Sequence, residues 1–206
     1  LLGPYAALLV IASVLTIQAL FFADGGLLAL GCNIFNLGFF PAFVAYPFIY
    51  RVMAGRNYAA PRAWFASVTA AVAGLLMGAL GVVIQTTLSG ISELPFSTFC
   101  LLMLPLHLAI GVVEGLATAA VVAFVVRARP DALPQAQGTV DLKPVLAGLA
   151  VAALLIGGVA SWFASTHPDG LEWSIARVTG KEEVGGTESS LHHRMAELQE
   201  RTAMLP

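Results

Sequence analysis

His107 and Glu114 are the residues of this chain whose chemistry best suits moving a proton or holding a cation. An imidazole binds transition metals through a ring nitrogen and changes charge near neutral pH, and a carboxylate adds fixed charge. The two stand seven apart in an apolar run, so on a helix they lie two turns apart on nearly one face. Gly111 falls between them, and Gly115 and Ala119 continue the same stretch. A carboxylate near mid-membrane costs about 2.5–3.5 kcal/mol on insertion scales, so it is rarely left facing lipid. One reading makes the pair part of a metal or proton pathway, or a contact with a partner helix. The other makes Glu114 a protonated or paired group that only bonds a neighbouring helix. Residue types alone leave both open.

A second polar group sits where two apolar runs join. Asp24-Gly25-Gly26 makes a tight turn at a membrane surface, because glycine supplies backbone angles that other residues avoid. Asn33 and Asn36 are three apart and share a helix face. Lipid offers an amide no partner, so these side chains point at protein or trapped water. Asp24, Asn33 and Asn36 could line an outward-facing vestibule. Equally, Asp24 could only form the turn while the asparagines bond between helices.

Other reactive residue types read more simply. His192 and His193 are neighbours in a polar tail, and adjacent side chains on a helix do not converge on one ion, so they and His167 read as exposed. Glu182-Glu183 and 194–201 read as a solvated face, and Trp173 as an interfacial anchor. Cys32 and Cys100 lack metal or disulfide spacing and read as small apolar core residues. No nucleophile–base pair stands at a recognisable spacing. There is no GxxxxGK[ST] loop, so active transport would draw its energy from another subunit or an ion gradient. A net charge of −2 without a basic stripe gives no reason to expect nucleic acid.

The elements that must position these residues are membrane helices. The chain is 58% hydrophobic and 11% charged, with a mean hydropathy of +0.85. Soluble domains carry about a quarter charged residues. Seven of the twelve acids fall after residue 165. A span needs about 20 apolar residues, and 1–22, 27–50 and 63–88 each supply one. Pro41 and Pro47 should bend the inner half of the second. Ala66, Ala70, Gly74 and Gly78 recur every four positions in the third, which lets another helix approach closely. The run 96–126 is too long for one upright span, and Pro105 should divide it into an outer piece and a span from about Leu106. A Pro/Ala/Gln/Gly linker at 130–139 precedes a fifth span, 144–164. A helix is expected at 189–202 in the wet tail. The expected fold is an all-α integral membrane protein, a multi-span helical bundle with five spans in this chain. Connectors 51–62 and 127–143 carry three basic residues each, and 23–26 and 89–95 carry none. The positive-inside rule then puts Leu1 near the cytoplasm, and Asp24, Glu93 and residues 165–206 outside. No internal repeat at 20–50 residues is evident. The chain opens Leu1-Leu2-Gly3-Pro4 without an initiator Met and stops at Met204-Leu205-Pro206, so it reads as a piece of a longer polypeptide.

Four stretches carry a family likeness: residues 2–10, residues 18–27 containing Phe22-Ala23-Asp24-Gly25-Gly26, residues 29–36, and His107-Leu108-Ala109-Ile110-Gly111-Val112-Val113-Glu114-Gly115-Leu116-Ala117-Thr118. Together they resemble the CbiM/NikM family, the substrate-specific membrane components of energy-coupling-factor importers for cobalt and nickel. His167-Pro168-Asp169-Gly170-Leu171-Glu172-Trp173 resembles the Pro-Asp-Gly-Leu-Glu motif of the NikN-like accessory component. The resemblance implies that 1–127 holds the last four spans of a seven-helix component. It also implies a cytoplasmic linker at 128–143 and an accessory domain at 144–206. In the family, metal is held by the extreme N-terminus and a later outer-loop His, both upstream of Leu1. No residue here matches a direct ligand, so no metal ligand is assigned in this chain. Ni²⁺ or Co²⁺ would be cargo, with no resident cofactor. The implied partners are a coupling transmembrane subunit and cytoplasmic ATPase subunits. Two rival classes remain: an intramembrane enzyme using His107 and Glu114 as acid and base, and a structural membrane scaffold.

Overall fold

The computed structural model describes residues 3–22, 24–55, 61–89, 95–128 and 190–203, with Val151, Trp173, Ala176, Arg177 and Gly180. Helix α1 spans Pro4–Phe21, α2 Leu27–Ala54, α3 Pro61–Ser89, α4 Phe96–Ala128 and α5 Ser190–Thr202. The first four are each long and apolar enough to cross a membrane, and no strand occurs among the described residues. The protein is an all-α, multi-span membrane protein. The expected fifth span, the linker and Glu93 lie outside the described residues.

Proline at its first position opens α1, where a missing N–H is tolerated because that donor has no intrahelical partner. Large apolar side chains such as Tyr5, Leu9 and Ile17 are exposed along α1, and Ala19 is its one buried residue. In lipid this is the expected surface of a helix at the edge of a bundle. Its main neighbour among the membrane helices is α2. A Cβ at Gly38 would lie 2.7 Å from Leu8 and 2.8 Å from Ile11, and Tyr5 meets Phe43 edge-on at 5.4 Å. Each contact needs the small residue or the flat ring found there.

Helix α2 contains Pro41 and Pro47, where the sequence suggested a bend. The structure answers with a change of winding: Phe35–Tyr50 is a π-helix, and the Arg51 N–H donates to the Tyr46 carbonyl five residues back. A wider turn moves the carbonyl four residues back away from each proline ring, which is where an α-helix would clash. Phe35, Phe39 and Phe43 stack along this helix at 5.0 and 5.6 Å. Gly55 ends α2 with φ +64° and ψ −141°, and its N–H bonds the Arg51 carbonyl. A Cβ there would lie 3.1 Å from the Arg62 guanidinium. Gly55→Ala should therefore cost about 1–3 kcal/mol, measurable as a lower thermal midpoint in detergent. An unchanged midpoint would mean the turn relaxes freely.

Helix α3 is the centre of the arrangement, packing against α2 on one side and α4 on the other. Its buried residues are small: Ala63, Ala66, Ser67, Ala70, Gly74, Gly78 and Ala79, with Val83. Among helices in lipid, close approach of backbones replaces the hydrophobic drive available in water. Ala45, Tyr50 and Ala54 of α2 meet Ala63, Ala66 and Ala70 near one end, and Ala79 and Val83 meet Phe99 and Met103 of α4 near the other.

Helix α4 corrects the expected division at Pro105. It runs unbroken through that proline for 33 residues. Phe99 and Met103, before the proline, are 0% and 1% exposed against α3. Gly111 and Gly115, after it, press on Val72 and Val68 of the same helix. Both halves are thus held by one neighbour, which keeps the helix continuous despite the lost backbone donor. At about 1.5 Å per residue it is longer than the roughly 30 Å hydrocarbon layer, so it tilts or protrudes. A second correction concerns Cys32, which is exposed on this chain; Cys100 is half-buried, and neither is paired.

The expected tail helix is present as α5, and it docks on the transmembrane part. Gln199 Nε2 donates to the Gly25 carbonyl at 2.7 Å, and α5 touches α1 and Leu27–Ala29. Arg201 pairs with Glu197 one turn earlier, both exposed, an arrangement worth about 0.3–0.5 kcal/mol. Arg177 lies over the Trp173 ring at 5.5 Å.

Candidate transport cleft

The four long helices enclose a cleft of about 960 Å³. Asp24, Asn33, Asn36, His107 and Glu114 all line it, together with Gln18, Ser67 and Thr118. The polar residues singled out from two separate stretches of sequence therefore meet in one space. Apolar side chains such as Ile11, Leu37 and Val82 fill the walls between them. A second, apolar cleft of about 610 Å³ lies between α1, α2 and the end of α4.

Asp24 sits at one end. Gln18 Nε2 donates to Asp24 Oδ2 at 3.2 Å, and the Asp24 N–H donates to the Gln18 carbonyl at 3.2 Å. Gln18, the one amide side chain of the first span, thus ties the carboxylate to the end of α1. Gly25 (φ +72°) makes the turn, and a Cβ there would come 3.2 Å from Asn33 Nδ2. With α5 bonded to the Gly25 carbonyl, the tail helix stands at this same end of the bundle.

Asn36 is 2% exposed. Its Nδ2 donates to Gln85 Oε1 at 2.8 Å, and Gln85 Nε2 donates back to Asn36 Oδ1 at 3.2 Å. The reciprocal pair satisfies two amides that would each be costly alone in an apolar layer. The sequence reading left Gln85 unremarked. The available signal was that it follows Gly74, Gly78 and Gly81 at the spacing of one helix face, as the lone amide of an apolar span.

The His107 Nδ1 lies 2.9 Å from the Met103 carbonyl oxygen. A carbonyl can only accept, so Nδ1 carries the proton and, in the neutral ring, Nε2 keeps the lone pair. That is the arrangement in which an imidazole can ligate a cation or take a proton. Glu114 lines the cleft and is exposed on this chain, and among the described residues no cation pairs with it. The helix-packing glycines divide by neighbour. Gly74 meets Pro41 and Gly78 meets the Asn36 backbone, while Gly111 and Gly115 meet Val72 and Val68. Among the described residues, no three His, Cys, Asp or Glu side chains come together in a group that could hold a metal ion.

Membrane-spanning helices packed through small residues around a cleft with isolated polar and ionisable groups define a polytopic membrane protein. The chain belongs to the CbiM family, the cobalt uptake substrate-specific transmembrane region, whose model matches residues 1–132. A PDGLE domain matches residues 143–206. The chain is 38% identical over 164 residues to the fused nickel transport protein NikMN of Archaeoglobus fulgidus, covering 75% of this chain and 51% of that protein. It is 34% identical over 145 residues to the cobalt transport protein CbiM of Sorangium cellulosum, covering 70% and 64%. The fused nickel transport protein LarMN of Lactiplantibacillus plantarum is 33% identical over 164 residues, covering 73% and 49%. The chain thus spans about half the length of the fused relatives. No solved structure matches it.

Proposed function

We propose that this chain is part of a Ni²⁺ or Co²⁺ uptake component working in the cytoplasmic membrane. In this reading, residues 1–127 are the last four spans of its substrate-specific domain, 128–143 form a cytoplasmic linker, and 144–206 are a fused accessory domain. As the resemblance to energy-coupling-factor importers implies, a coupling membrane subunit and cytoplasmic ATPases would drive transport; the sequence itself carries no GxxxxGK[ST] loop. One observation carries the proposal: in a chain of this family, Asp24, Asn33, Asn36, His107 and Glu114 face one intramembrane cleft. Docking of α5 on the Gly25 turn supports placing the tail and Asp24 on one side, outside if the arginine bias is obeyed.

Ligands that hold the ion at rest lie upstream of Leu1 in this reading. The cleft residues shape the space behind them. The test is uptake of radioactive nickel and cobalt by cells carrying the complete transporter, with Glu114→Gln beside wild type. Glu114→Gln keeps the size of the side chain but removes the carboxyl group. Its uptake should fall about tenfold, equivalent to about 1.4 kcal/mol, at an unchanged membrane level. Purified full-length wild type should gain about 2.7 kcal/mol of stability at a metal concentration one hundred times its dissociation constant. Absence of both metal-dependent stabilisation and uptake would overturn the proposal.

A further inference from the structure

The Asn36–Gln85 pair joins α2 to α3 across 49 residues of sequence. Asn36 lines the cleft, whereas Gln85 does not. We infer that Gln85 is a positioning residue for transport: it fixes the orientation in which Asn36 presents its carboxamide to a divalent cation passing through the cleft. The inference rests on the metal-uptake reading above.

Three features of α3 hold Asn36 in place. The Asn36 backbone carbonyl lies against Gly78, where a Cβ would approach to 2.8 Å. Its side-chain oxygen lies against Gly81, where a Cβ would approach closer still. Gln85 then closes two hydrogen bonds on the side-chain amide. Positions 78, 81 and 85 share one helical face, so together they form a seat for a single residue. The pairing also fixes orientation. Turning one carboxamide by half a rotation would set oxygen against oxygen and NH₂ against NH₂, so neither can flip alone. Each amide keeps one N–H and one oxygen lone pair beyond the pair. Asn36 lines the cleft at only 2% exposure, so what it can offer there is narrow: the spare oxygen lone pair, an acceptor for the water protons of a hydrated divalent cation. Without Gln85 the carboxamide could rotate and present its NH₂ group, which repels a cation.

The test uses the complete full-length transporter in proteoliposomes, with initial rates of radioactive nickel and cobalt uptake over a range of concentrations. Gln85→Leu should raise the half-saturating concentration about tenfold with little change in maximal rate per folded transporter. Gln85→Glu in its neutral acid form keeps the acceptor for Asn36 Nδ2 and donates its O–H to Asn36 Oδ1, and should restore most of that affinity. The exchange Asn36→Gln with Gln85→Asn keeps an amide pair of the same total length but shifts the cleft amide by one methylene. It should regain the wild-type thermal midpoint while leaving half-saturation raised. A Gln85→Leu protein that only melts lower, with wild-type half-saturation, overturns the inference, as does an exchange variant that recovers both properties. Either result leaves a structural staple. Should Gln85→Leu fail to fold, the Glu and exchange variants decide by the same readouts. Wild type that imports neither metal overturns the uptake reading itself, and the inference with it.

Discussion

Gly115→Leu should abolish stable folding of the membrane domain. A Cβ at residue 115 would lie 2.6 Å from the Val68 Cα, 3.2 Å from the Val68 carbonyl oxygen and 3.3 Å from the Ala71 Cβ. Two of those atoms are backbone, so no side-chain rotation relieves the clash; α3 and α4 must separate. Even alanine faces this conflict. Its better helix propensity favours the variant by about 1 kcal/mol, whereas overpacking costs about 1–3 kcal/mol, so Gly115→Ala should be neutral to destabilising. Leucine adds three more carbons to the same contact and should exceed about 3 kcal/mol. The measurement is the thermal midpoint of full-length protein in detergent, with its level in the membrane. Val113→Leu serves as control, because Val113 is 67% exposed and faces away from this contact. A Gly115→Leu protein that melts like the control would show that α3 and α4 do not pack as described.

The second large effect is expected from Asn36→Leu. Leucine closely matches asparagine in shape, so the seat formed by Gly78 and Gly81 still accommodates it without a cavity. What changes is the partner: Gln85 is left with an unanswered amide. Orphaning a buried polar group costs about 1–3 kcal/mol. Intramembrane pairs measured by double-mutant cycles are weaker, averaging about 0.6 kcal/mol, because a freed side chain finds other partners. The low exposure of Asn36 favours the upper part of this range for the single variant. Asn36→Leu combined with Gln85→Leu should recover part of the loss, since both amides are then gone. A double variant as unstable as the sum of the singles would show that the two side chains do not interact. Metal uptake should stay impaired in the double variant, because the cleft amide is missing whichever way stability moves.

Much of this protein is legible in the order of its residues. Each of the four spans among the described residues follows from an unbroken apolar run, because insertion depends on a local sum of side-chain transfer energies. The Ala66-Ala70-Gly74-Gly78 repeat marks the close-packing face of α3 because small side chains four apart fall on one helix face, and all four are buried. The likeness to the CbiM family rested on contiguous words such as Phe22-Ala23-Asp24-Gly25-Gly26, and the match over 1–132 agrees with it. Tertiary structure decided the rest. Pro105 removes a backbone donor wherever it stands, but whether a helix breaks there depends on what flanks it, and Phe99, Met103, Gly111 and Gly115 are all held by α3. Gln85 and Asn36 are ordinary amides 49 residues apart until α2 and α3 pack in register. Gln199 meets Gly25 across 174 residues. Hydropathy is a property of neighbours in the chain, whereas a shared cleft and a reciprocal amide pair are properties of neighbours in space.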